Sequence, residues 1–158
     1  PELAIAAGER MRSLVDEAGD APAPEAEQAA QAAQAAQAAR EVVLPAWDRY
    51  PDLSPDWRAR FVKLLAWRVD VDDSAWLSRV ELMQRQWPND PYLQYLAGQA
   101  CLQRQLWGKA AQLLGQASTG LKDTELLRQT WCGLAQLAQE REDASAAQAA
   151  WKRAAQTR

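Results

Sequence analysis

The stretch LAGQACLQRQLWGKAAQLLGQA, residues 96–117, places small and bulky side chains at spacings that predict two packed helices. Gly98 is followed twelve positions later by Ala110, and Leu114 and Ala117 come four and seven positions after that. Two antiparallel helices approach closely only where small side chains lie at the contact. We therefore expect Gly98 and Ala110 to form the crossing point, and Leu114 to fill the space beside the next pair of helices.

The same spacing recurs 37 positions further along the chain. There it is carried by Ala135, Ala147, Trp151 and Ala154, and Trp131 supplies a further bulky residue ahead of them. Internal repeats of this length are typical of helical arrays, in which each hairpin buries its apolar face only by stacking on its neighbours. The two copies therefore predict a stack of antiparallel helical hairpins.

This pattern resembles the tetratricopeptide repeat, whose small, small, bulky and small positions are matched in both copies. Trp131 falls where that repeat often has its first tryptophan, and Pro88 falls where a preceding repeat would close. The sequence departs from the pattern at Gln94, which replaces a tryptophan, and at Lys122, which replaces a proline. The resemblance implies an all-α solenoid, a right-handed superhelical stack of antiparallel hairpins.

Composition also favours a helical protein. The chain has 158 residues, of which 48% are hydrophobic and 25% charged, as expected for one globular domain. Alanine, glutamine, leucine and arginine, all good helix formers, dominate. The net charge is −3 with mixed signs, so a nucleic-acid partner is not expected. No apolar run reaches the ~20 residues that a membrane span needs.

Breaker residues divide this predicted single domain of residues 1–158 into four hairpins. An atypical hairpin begins with a helix over residues 1–18, whose apolar stripe includes Leu3 and Ala7, and continues into an alanine- and glutamine-rich helix that ends before Pro45. The predicted hairpins span residues 1–44, 54–87 (a degenerate repeat), 91–124 and 128–158. Helices in the last two are predicted near residues 91–104, 107–118, 124–140 and 144–156.

Two segments, RQWPNDP (residues 85–91) and LAGQACLQRQLWGKA (residues 96–110), carry a closer resemblance. They are similar to the C-terminal region of the HemY family, proteobacterial inner-membrane proteins associated with late haem biosynthesis. That family has a similar Pro-Asn-Asp before a helix and a similar Leu-Trp-Gly-Lys-Ala at the hairpin turn. The resemblance covers residues 79–117, about a quarter of the chain.

This second resemblance implies a scaffold rather than an enzyme. It implies a soluble domain on the cytoplasmic side of the bacterial inner membrane, held by an N-terminal anchor that lies outside this sequence. Because the chain begins at Pro1 without methionine, we expect it to be a fragment of such a protein. Haem-pathway enzymes are the implied partners.

The residues offer little for catalysis. The chain has no histidine, which removes serine–histidine and cysteine–histidine nucleophile pairs and histidine-based zinc sites. No glycine-rich phosphate loop occurs. Acid pairs such as Asp72-Asp73 fall at predicted turns, where carboxylates cap helices more often than they transfer protons. We expect no enzymatic activity, no metal and no cofactor.

A partner-binding groove is the first functional candidate. In a tetratricopeptide array the first helix of each repeat lines a concave face, which here is polar, largely uncharged and partly aromatic. Such a face suits an extended or helical peptide; the alternative is that these side chains only solvate a surface. By the resemblance, the groove residues are Tyr92, Tyr95, Gln99, Gln103, Gln129, Cys132, Gln136 and Glu140.

Two other functions stay open. Eight tryptophans and two cysteines raise the alternative of a haem- or porphyrin-binding domain. Against it, Trp107, Trp131 and Trp151 fall where the repeat needs core bulk, and neither Cys101 nor Cys132 precedes a proline, as a haem-regulatory thiolate usually does. Both cysteines are more simply interpreted as small buried apolar residues. The remaining alternative is a homodimer formed through the alanine- and glutamine-rich helix or the tryptophan-rich hairpin.

Overall fold

Helices account for all the regular structure in the part of the chain that the computed structural model describes, namely residues 1–18, 44–66 and 74–157 and the isolated positions 30, 34, 35, 38 and 41. The all-α prediction is therefore confirmed for these residues. The backbone is helical at the five isolated positions. The rest of the predicted alanine- and glutamine-rich helix lies outside the described residues.

The chain forms two compact units, Pro1–Asp70 and Val71–Arg158. The boundary falls inside the predicted repeat of residues 54–87, so its two helices belong to different units. The sequence places a polar breaker, Asp70 to Ser74, at this boundary.

The first unit contains helix α1 (Glu2–Ala18), a 3-10 helix (Leu44–Asp52) and helix α2 (Pro55–Ala66). Helix α1 contacts both of the others. The aromatic rings of Trp47 and Tyr50 lie with their centroids 5.3 and 5.7 Å from that of Phe61. The predicted apolar stripe of α1 is wrong at Leu3, which is 89% exposed, because α1 turns the neighbouring face, with the fully buried Ile5, towards the core.

The second unit contains five helices in its described part. They are α3 (Ser74–Gln86), α4 (Pro91–Gln103), α5 (Trp107–Gly120), α6 (Thr124–Glu140) and α7 (Ala144–Gln156). The last four agree with the predicted bounds to within two residues. Helix α4 packs against α5, and α6 packs against α7; further contacts join α3 to α4, α5 to α6 and α4 to α6.

Aspartate caps begin three of these helices. The Asp90 carboxylate accepts hydrogen bonds from the backbone N–H groups of Tyr92 and Leu93 at the start of α4. Asp123 and Asp143 cap α6 and α7 in the same way. Each cap satisfies donors that the first helical turn leaves without an intrahelical partner, which is why these helices begin where they do.

The turns after α4 and α6 have the same backbone geometry. Gln105 and Glu142, 37 positions apart, both have a φ of 58°. The next N–H group bonds back to the helix at 2.9 Å in each case, from Leu106 to the Cys101 carbonyl and from Asp143 to the Ala138 carbonyl. One left-handed residue after the helix, closed by this bond, is a Schellman turn. Both helical pairs are thus joined by the same turn.

Small residues allow close contact around Leu114. A Cβ atom placed on Gly98 of α4 would lie 2.7 Å from Leu114 Cδ2 and 3.2 Å from the Leu114 backbone nitrogen. A Cβ on Gly133 of α6 would lie 3.0 Å from Leu114 Cδ1. The atoms nearest to a Cβ on Gly98 therefore all belong to Leu114, one turn beyond the predicted Ala110.

Candidate partner-binding surface

Two of the predicted groove residues lie in the core. Helix α4 contacts α3, α5 and α6, and its side chains are buried on most sides. Tyr92 and Tyr95 are only 7% and 2% exposed. Their assignment to an exposed groove is therefore corrected: the neighbouring helices cover the sides of α4 that carry these two tyrosines.

Tyr95 instead belongs to a polar network between α4 and α6. Its hydroxyl donates a hydrogen bond to the Gln129 side-chain oxygen. Gln129 Nε2 donates to Glu125 Oε1 at 2.6 Å, and Arg128 Nη2 donates to the same oxygen at 2.7 Å. Burial, with smaller contributions from the carboxylates of Glu125 and Asp123, raises the pKa of the Tyr95 phenol. Gln129 is thus half-buried and hydrogen-bonded within the fold, and is not free to bind a partner.

The other five predicted groove residues remain accessible. Gln103, Gln136 and Glu140 are exposed, and Gln99 and Cys132 are half-buried. The Gln99 side chain lies beside α6, with Nε2 3.5 Å from where a Gly133 Cβ would be. We call this surface the α4/α6 face; it consists of Gln99, Gln103, Cys132, Gln136 and Glu140.

The small residues of the predicted repeat are buried. Ala110, Ala117 and Ala135 are 0% exposed, and Ala147 and Ala154 are 5% exposed. The bulky positions differ from one another: Leu114 is 0% exposed, whereas Trp151 is 39% exposed. Helix α6 contacts Leu114 through Gly133, whereas Trp151 lies on α7, the last described helix.

The other two tryptophans predicted to lie in the core are half-buried. Trp107 begins α5, and Trp131 lies on α6. The guanidinium carbon of Arg153, on α7, lies 4.6 Å from the centroid of the Trp131 ring. A cation over an indole face is an attractive arrangement that leaves the ring partly accessible.

The two cysteines have different environments. Both are free thiols; Cys101 is buried and Cys132 is half-buried on the α4/α6 face. Burial is the main cause that raises the pKa of the Cys101 thiol, and this disfavours the thiolate that would bind haem iron. The interpretation of Cys101 as a small buried residue fits this environment.

A second concave feature, not foreseen from the sequence, lies between α3 and α5. It is a cleft of about 580 Å³ over the turn that joins α3 to α4. Amide side chains dominate its lining, which includes Gln84, Gln94, Gln112 and Gln116. Lys109, also in the lining, donates a hydrogen bond to Glu81 Oε1 at 2.6 Å, so its charge is already paired. We call this feature the amide cleft.

Within the described part of the chain, no group of three or more cysteine, aspartate or glutamate residues is arranged to hold a metal ion. None of the described helices combines the length and apolar character needed to cross a membrane.

Comparison with known proteins gives no relative. No protein-family model matches the chain, and no curated protein or solved structure is significantly similar to it.

Proposed function

We propose that this protein is a non-catalytic interaction module that binds a protein partner on the α4/α6 face. The single observation that carries the proposal is that this face presents accessible and mostly uncharged side chains on two adjoining helices. The tyrosines beside it are held in the core. A surface with a fixed backbone and hydrogen-bonding side chains suits recognition of a peptide or helix.

We also propose a tetratricopeptide-like architecture for the second unit. The equal turns at Gln105 and Glu142, and the burial of Ala110 and Ala147 at matching positions, support a right-handed tetratricopeptide-like stack of hairpins. Each hairpin in such a stack buries its apolar face against its neighbour, as Leu114 does against Gly133.

We further propose, from the sequence resemblance, a biological setting. The module serves a HemY-like factor of late haem biosynthesis that is anchored in the bacterial inner membrane. Haem-pathway enzymes on the cytoplasmic side are its partners, and the module holds them without taking part in their chemistry.

The experiment is affinity capture from the protein's own cells with the tagged full-length protein, followed by mass spectrometry. Gln136→Arg places a charged, bulky side chain on the α4/α6 face. Gln148→Arg, at an exposed glutamine on α7, is the matched control for charge and size. Circular dichroism checks that both variants fold.

We expect at least one protein to be recovered with the wild type and with Gln148→Arg but lost with Gln136→Arg. A haem-pathway enzyme among the lost proteins would support the proposed setting. Equal recovery with all three versions would contradict the assignment of the α4/α6 face.

A further inference from the structure

The amide cleft occurs where the two helical pairs of the second unit differ. At the 37-residue offset, Gln94 of α4 corresponds to Trp131 of α6, and Gln116 of α5 corresponds to Arg153 of α7. In the later pair the Arg153 guanidinium covers the Trp131 ring. In the earlier pair both positions hold glutamine, and both glutamines line the cleft. Glutamine is smaller than tryptophan or arginine, so the side chains at these two positions occupy less space in the earlier pair than in the later one.

Gln94 has an unused hydrogen-bonding atom at this site. Its side chain is buried, with 7% exposure, and its Nε2 donates to the Pro88 carbonyl at 2.7 Å. Its Oε1 accepts no hydrogen bond from any described residue. A buried amide oxygen without a donor is costly, and such atoms usually have a partner. This oxygen is therefore suited to accept a hydrogen bond from a bound group.

The lining restricts what that group can be. The charge of Lys109 is paired with Glu81, so the cleft offers no free cation for a phosphate or a carboxylate. The described lining contains no aromatic side chain on which a sugar or a base could stack. The remaining polar groups are side-chain amides and the Thr119 hydroxyl, which as groups both donate and accept hydrogen bonds. They lie beside the apolar surfaces of Pro88 and Leu113.

The main chain of an extended peptide matches this chemistry. It presents N–H and C=O groups in regular succession, with side chains directed alternately to the two sides. A cleft of about 580 Å³ falls in the range of pockets that enclose ligands.

We propose that the amide cleft binds the main chain of an extended, uncharged peptide segment of a partner protein. Gln94 Oε1 accepts a peptide N–H at the base of the cleft, and the Gln116 side-chain amide binds the adjacent peptide group at its rim. This inference rests on the proposed interaction function and gives it a second site, since the cleft shares no residue with the α4/α6 face.

The test uses acetyl-trialanine-N-methylamide as the probe, titrated into the ¹⁵N-labelled full chain. The side-chain amide resonances of Gln94 and Gln116 are followed by NMR. A depsipeptide analogue, in which an ester replaces the central amide and removes its N–H, reports on main-chain recognition. Gln116→Trp places an indole at an exposed position of the cleft, and Gln148→Trp is the matched control on α7.

We expect the resonances of both side-chain amides to shift saturably in the wild type and in Gln148→Trp. In Gln116→Trp, which lacks one of these amides, only the Gln94 resonance is followed. The ester analogue should bind about 5- to 10-fold more weakly, as the loss of one hydrogen bond implies. Gln116→Trp should abolish the response without loss of helical content.

The inference would be overturned if the shifts did not saturate, or if the ester analogue bound as tightly as the peptide. It would also be overturned if Gln116→Trp and Gln148→Trp lost probe binding to the same extent. If the probe fails to bind while capture still depends on Gln136, the amide cleft assignment falls and the interaction function stands. If capture is also independent of Gln136, both fall.

Discussion

Gly98 and Leu114 are in direct contact across the boundary between α4 and α5. A single Cβ atom on Gly98 would lie 2.7 Å from Leu114 Cδ2, closer than carbon atoms normally approach. Leu114 is 0% exposed and also reaches Gly133 on α6. One leucine therefore joins three helices of the second unit, and this arrangement depends on two glycines.

Leu114→Ala should cost about 2–5 kcal/mol of unfolding free energy, because it removes buried apolar atoms and leaves a cavity between three helices. The matched control is Leu82→Ala, at a leucine on α3 that is 68% exposed, where a change within about 0.5 kcal/mol is expected. Urea denaturation of both variants checks the difference. Similar losses in the two variants would contradict the placement of Leu114.

Tyr95→Phe should cost about 1 kcal/mol near neutral pH, because it removes the hydrogen bond to the partly buried Gln129 oxygen. Urea denaturation of the two proteins measures this difference. Equal unfolding free energies would mean that the Tyr95 hydroxyl contributes nothing to the contact between α4 and α6.

The stability difference between wild type and Tyr95→Phe should also depend on pH. Burial raises the pKa of Tyr95 in the folded chain above the ordinary value of 10.0, so the unfolded chain ionises first. The contribution of the hydroxyl is therefore complete below about pH 10 and is lost as the pH rises above it. A difference that stays constant through this range would show that Tyr95 is not buried as described.

Gln105→Gly and Glu142→Gly should each raise stability by about 0.5–1 kcal/mol. Both residues have a φ of 58°, a conformation that costs other residues more than it costs glycine. Gln103→Gly, at the last residue of α4, is the control and should lower stability by up to about 1 kcal/mol, because Gln103 is helical and gains nothing from glycine. Thermal melts of the three variants measure these changes in stability. A lower melting temperature for Gln105→Gly than for the wild type would contradict the turn geometry.

Native alkylation should distinguish the two cysteines. Cys132 is half-buried and should react with a maleimide within minutes, whereas Cys101 is buried with a raised pKa and should react only as the protein opens. Mass spectrometry should show one fast modification in the wild type and none in Cys132→Ser. A fast modification that persists in Cys132→Ser would place Cys101 at the surface.

Helix bounds in the second unit could be predicted because their signals are local. Asp90, Asp123 and Asp143 precede the helices that they cap, and the small residues recur at one spacing. The direct contact of Gly98 could not be located to the residue, because the point of closest approach depends on how α5 is rotated about its axis.

The candidate site was less predictable because burial depends on what other elements cover. Nothing near Tyr95 in the sequence shows that α6 places Gln129 over its hydroxyl. The amide cleft had a signal, since Gln94 replaces an expected tryptophan, but its shape depends on α3 and on the turn at Pro88.

The fold of the second unit depends on direct contact between α4 and α5 at Gly98. A comparison of Gly98→Ala with Gly115→Ala tests this contact most directly. A Cβ on Gly115, in α5, would have nothing within 4 Å, so the two substitutions share the gain in helix propensity and differ in packing. Measured by urea denaturation, Gly98→Ala should be less stable than Gly115→Ala by about 1–3 kcal/mol. Equal unfolding free energies would show that the two helices do not meet there.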